Sequence, residues 1–170
     1  MPQLKDPNFE LTAVLLCEHG ADGALGLVIN RPTPFVLGQL YEGQGLEGDG
    51  GAGEPIHYGG PVQPEMGFVL YEGPEYDGSM PVTGSLRLGT SLEILRDIAA
   101  DRGPSRFLFC LGYSGWAPDQ LENEIARNDW LVVPADPELL FRYSAGERWE
   151  QAIRILGIDP RLLSQGYGTA

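Results

Sequence analysis

The chain has 170 residues, the size of one ordinary domain, and its 42% hydrophobic content is enough for a real core. Eleven basic residues against 24 acidic ones give a net charge of −13; Lys5 is the only lysine, and the arginines are scattered rather than clustered. That balance opposes nucleic-acid binding and docking on anionic lipid, and it leaves lysine Schiff-base chemistry no residue but Lys5.

In chain order, Leu11-Thr12-Ala13-Val14-Leu15-Leu16-Cys17 reads as a short buried strand. Glu18 to Gly23 is turn chemistry, and Ala24 to Asn30 is a second strand, so the pair predicts a hairpin. Arg31-Pro32-Thr33-Pro34 stops it, with Thr33 placed to cap a short helix carrying Leu37, Leu40 and Tyr41. Residues 42–54 hold six glycines and read as a flexible excursion. Order resumes at Ile56 to Pro61 and in a strand from Met66 to Tyr71; Gly73 to Gly84 reads as a loop and Leu86-Arg87-Leu88 as a short strand.

Thr90-Ser91-Leu92-Glu93 has the form of a capping box with Thr90 at the cap, and Leu92, Leu95, Ile98 and Ala99 make the apolar stripe of the helix that follows. Arg106 to Leu111 is a buried strand, Pro118 stands where a helix with Leu121 and Ile125 begins, and Trp130-Leu131-Val132-Val133 reads as the last strand. Two helices close the chain, one opened by Asp136-Pro137-Glu138 and one carrying Trp149, Ile153 and Leu156. A strand-rich front half and a helix-rich back half predict a single α+β domain over 1–170, with a mostly antiparallel or mixed sheet.

The N-terminus lacks a basic-then-apolar signal pattern, and no apolar run reaches the roughly 18 residues of a membrane helix. Cys17 and Cys110 each fall in an apolar run, so a disulfide framework is not expected and a reducing cytoplasm is the expected compartment.

Four patches bear on chemistry. Gly112-Tyr113-Ser114-Gly115-Trp116 lies between a buried strand and a helix start, the context of a nucleophile elbow, but Trp116 stands where that pattern needs glycine. The helix amides beyond it, with Tyr113, Ser114 and Gln120, offer a place for an anion or a carbonyl. Cys17 and His19 fall on one face if the first strand continues, and a Cys-His pair is a nucleophile with its base or half a metal site. His19 and His57 are the only histidines and no Cys-x-x-Cys is present, so neither a metal nor a cofactor is expected. Gly48 to Gly53 matches G-x-G-x-x-G but lacks the flanking strand and helix that a dinucleotide site requires. Arg31 at a strand end suits a carboxylate clamp, and Gly59-Gly60-Pro61 permits close backbone approach.

The runs Cys17-Glu18-His19, Gly26 to Pro32, Tyr58 to Val62, Gly112 to Trp116 and Gln120 to Ile125 together resemble the AlgH/YqgE family, from about Asp6 to Gly166. The resemblance implies a compact α+β domain with a curved sheet flanked by helices, and sometimes carries the label of transcriptional regulator; it implies no catalytic residue. Family members begin with a further apolar strand leading into a Met-Pro like Met1-Pro2, so an unpaired sheet edge is expected here, and Gly43 to Gly53 resembles an insertion.

The leading expectation is a non-enzymatic binding or regulatory module that recognises a protein or small ligand. Its expected face is built from Glu18, His19, Asn30, Arg31, Gly59, Gly60, Tyr113, Ser114, Trp116 and Gln120. The rival is a hydrolase or acyl-transfer enzyme using Ser114 or Cys17 with a histidine.

Overall fold

The computed structural model describes residues 9–164. Strands β1 (Val14–Gly20) and β2 (Gly23–Val28) form the expected hairpin, closed at Gly20 and Gly23. Next come β3 (Pro32–Val36), α1 (Leu37–Gln44), β4 (Pro55–Tyr58), β5 (Val62–Glu72), β6 (Met80–Thr83) and β7 (Leu86–Gly89). The chain continues through α2 (Leu92–Ala99), β8 (Arg106–Trp116), α3 (Gln120–Ala126), α4 (Pro137–Phe141), α5 (Ala145–Ile155) and α6 (Pro160–Ser164). The sheet runs β1-β2-β8-β5-β7-β6, with β4 paired to β8 and β3 to β4. All pairings are antiparallel except β4 with β8, and the sheet curls far enough to bring its two end strands, β1 and β6, near each other. This is a single α+β domain, and no helix among the described residues is long and apolar enough to cross a membrane.

Both faces of the sheet are covered, which is why its central strands are continuously apolar. In β5, Phe68 and Leu70 point to one core and Val69 and Tyr71 to the other; in β8, Leu108 and Cys110 alternate with Phe109 in the same way. The inner core joins Leu15, Leu27, Ile29 and Leu86 and is closed by Leu140 of α4. The outer one packs against Leu37 and Tyr41 of α1 and Ile94, Leu95 and Ile98 of α2.

Several expectations are corrected. Thr33 lies in β3, its hydroxyl donating to the Ile56 carbonyl at 2.8 Å; α1 instead starts after Val36, whose N–H donates to the Gln39 side chain. Ser91, not Thr90, caps α2 by accepting from the Glu93 amide. The segment expected as a loop from Gly73 to Gly84 contains β6, whose partner β7 supplies the ladder that its weak pattern did not announce. The strand expected to end at Leu111 runs on to Trp116, because β2 pairs with its second half. Trp130-Leu131-Val132-Val133 belongs to no strand: the residues are apolar enough for one, but no ladder partner is present among the described residues. The glycine-rich excursion is docked, with the Gly50 amide donating to Ala99 at the end of α2 and the Tyr41 hydroxyl to Gly50. A Cβ at Gly48 or Gly50 would lie 2.1 Å from a carbonyl oxygen of α2 or its C-cap, so glycine is what lets the loop lie flat there.

Glycine is most constrained where β4 ends. A Cβ on Gly59 would stand 2.2 Å from the Gly112 oxygen, a backbone atom that cannot swing away. Gly59→Ala is therefore expected to cost roughly 3 kcal/mol or more in urea melts. Gly43→Ala in α1, where nothing lies within 4 Å, should be neutral or stabilising by up to about 1 kcal/mol. Equal midpoints for the two variants would refute this account of the crossing.

Candidate functional site

The bulge in β1 settles the Cys-His pairing. Register shifts between Leu16 and Glu18, so Cys17 turns into the core while His19 faces solvent. The Cys17 thiol donates to the Leu15 carbonyl at 3.6 Å, and burial pushes it up to about 12; burial likewise raises the Cys110 thiol. His19 Nε2 lies 2.6 Å from Glu122 Oε1 on the surface of α3. The expectation that Cys17 and His19 share a face is thus overturned, because the extra residue in the bulge breaks the period of two.

Ser114 is fully buried inside β8, and its hydroxyl donates to the Gly59 carbonyl at 3.3 Å. The strained turn of a nucleophile elbow is absent, because residues 112–116 are strand. His57 is buried opposite Cys110 in the β4–β8 pairing. Its Nε2 lies 3.4 Å from Arg148 Nη1; since a guanidinium only donates, Nε2 is the acceptor and the imidazole is neutral. Burial first, then the Arg148 charge, push the ring down to about 4.

The other expected site residues serve mainly the framework. Asn30 accepts from the Ala13 amide and donates to the Leu11 carbonyl, tying the chain ahead of β1 to the end of β2. Arg31 donates to the Glu10 carbonyl at 2.8 Å. Gly59 donates to Leu111 and accepts from Val28, and Gly60, at φ 152°, packs against Tyr113. Gln120 accepts from the Ala117 amide and donates to Glu124, which engages the helix start that a ligand would use. Of the expected face, Glu18, Tyr113 and Trp116 share an open groove of about 410 Å³ with Asp22 and Gly115.

A second concavity, of about 170 Å³, lies between β1, the 130–136 segment and helices α3, α4 and α5, and is lined by Trp116, Trp130 and Trp149. Its wall depends on Glu124, which the sequence reading passed over. One carboxylate oxygen accepts both the Trp116 and Trp130 indole N–H groups, at 2.9 and 2.8 Å, and the rings meet edge to face at 5.8 Å. The Gln120–Glu124 spacing of four on a helix was the available signal. Arg148 was also missed: its buried guanidinium donates to the carbonyls of Ile29 and Leu140, binding α5 and α4 to the end of β2, and nothing in its local pattern marks it as interior. Among the described residues no group of three or more His, Cys, Asp or Glu is arranged to hold a metal.

His57 makes stability depend on acid. Its folded value, about 4, lies below the ordinary 6.5, so the unfolded chain binds the proton first and stability falls with pH from about 6.5 towards about 4. The full difference is on the order of 3 kcal/mol. His57→Gln should flatten that limb in urea melts taken from pH 7 to pH 4; an unchanged slope would rule His57 out as its source.

The AlgH-like family model matches residues 1–161. A UPF0301 protein of Ralstonia nicotianae is 49% identical, over 100% of this chain and 91% of the relative, and one of Burkholderia vietnamiensis is 47% identical with the same coverage. The solution structure of the AlgH protein from Pseudomonas aeruginosa superposes with a TM-score of 0.81 at 41% identity, covering 100% of this chain and 92% of that one. A Corynebacterium diphtheriae protein shares the fold at a TM-score of 0.71 and 19% identity, over 90% of this chain and 81% of its own. The chain belongs to the AlgH-like family.

Proposed function

We propose that this chain is a binding protein whose working surface is the groove of Glu18, Asp22, Tyr113 and Trp116, and that it receives a cationic segment of a protein partner. The observation that carries this reading is how the reactive groups are used. The Ser114 hydroxyl and the Cys17 thiol each donate to a core carbonyl, while both histidines are engaged elsewhere. The groove, by contrast, is open, carries two carboxylates, and has no arginine or lysine in its lining. Charge complementarity steers a basic segment towards such a surface, and the net charge of −13 adds to the pull. Gly115 on its floor lets an extended backbone approach closely. A regulatory role through a protein partner fits this surface, whereas direct duplex binding is opposed by the charge.

Two measurements test it. A fluorophosphonate probe and iodoacetamide should leave Ser114 and Cys17 of the folded protein unmodified; labelling of either would favour the acyl-transfer reading. A fluorescent arginine-rich peptide should bind at about 50 mM salt and weaken towards about 200 mM. Reversal of both carboxylates, Glu18→Lys with Asp22→Lys, should weaken it at least about tenfold, or roughly 1.4 kcal/mol. Equal affinity for the reversed protein would refute the groove as the docking surface.

A further inference from the structure

Trp116, Trp130 and Trp149 are the only tryptophans in the chain, and all three line the one cavity of about 170 Å³. Native interiors leave few voids larger than a water molecule, so a space of this size is unusual unless something fills it. Its polarity selects the filling. The Trp116 and Trp130 N–H groups are both taken by Glu124, leaving ring carbon towards the void. The Thr12 hydroxyl is taken by the Phe9 carbonyl, and one oxygen of Asp136 accepts the Glu138 amide at the start of α4. Water needs two to four polar partners and finds few here.

We propose that this cavity is a binding site for a small neutral apolar ligand, a single aromatic ring or a short alkyl chain. An apolar void of about 150 Å³ in another protein stays dry and takes benzene, which sets the scale. No lysine, arginine or histidine lines the cavity, and the exposed Asp136 carboxylate stands at its solvent side, so an anionic ligand is disfavoured. A route in is present as well: residues 130–136 form one wall without belonging to any helix or strand, and Leu131 and Val132 are exposed on it. The site is separate from the acidic groove and shares only Trp116 with it.

The test titrates the full chain with toluene and reads tryptophan fluorescence together with methyl NMR. The expected result is a saturable change in both, with ring-to-methyl NOEs to Leu15, Ile125, Val133 and Ile153. Benzoate, the anionic counterpart, should bind at least tenfold more weakly. Ala152→Phe, which fills the cavity from α5, should weaken toluene at least tenfold with the circular-dichroism spectrum retained. If that variant fails to fold, the wild-type NOEs decide alone. A response linear up to the solubility limit, NOEs to other residues, or undiminished binding by a folded Ala152→Phe would each overturn the proposal. So would NOEs between protein groups that fill the cavity before toluene is added.

Discussion

Everything in this domain hangs on one crossing of backbone. At Gly59 the amide donates to Leu111, while the carbonyl accepts from the Val28 amide and the Ser114 hydroxyl. Three strands, β2, β4 and β8, are therefore held by the polar groups of a single residue that has no side chain. Gly112, at φ 70°, completes the contact from the β8 side. The arrangement lets β8 serve two partners in succession along one edge, β4 with its first half and β2 with its second, while β5 follows the other edge. Two short local interactions thereby become one continuous curved sheet, and residues distant in sequence come to share a core.

A second constraint is electrostatic. A protein with an excess of acid has placed one of its few cations, Arg148, in its interior, facing carbonyl oxygens and a neutral imidazole rather than a carboxylate. Burying a charge is costly unless hydrogen bonds meet it. Here the carbonyls at the end of β2 and in α4 do so, and in return the closing helices are anchored to the sheet. The same charge keeps His57 neutral, so the inner core contains a base that is silent in the neutral range.

Sequence pattern made much of the framework legible, and the reasons it failed elsewhere are physical. The β1–β2 hairpin, β5, β7, the first half of β8 and α2 are strongly periodic or continuously apolar, and local pattern suffices for them. The second half of β8 reads as a glycine turn because its strand character comes from pairing with β2, a contact ninety residues away in sequence. Trp130 to Val133 fails the other way: its residues favour a strand, yet a strand is a relation between two segments. The candidate site was legible as a set of polar residues near strand ends, but not in its use. A bulge at Cys17, invisible to alternation counting, sends the thiol and His19 to opposite sides. Glu124 escaped notice because its role, holding two indoles at once, exists only after α3 has packed against the end of β8.

Trp116 closes the second half of β8 with one side in the acidic groove and the other in the apolar cavity. A single rigid ring that is a wall of two rooms makes the rooms interdependent. A rotation that widens one narrows the other, so an occupant of either carries a coupling free energy towards the second, equal in both directions by thermodynamic necessity. The carboxylate of Glu124, holding the ring by its one polar atom, acts as the pivot and sets how stiff that communication is.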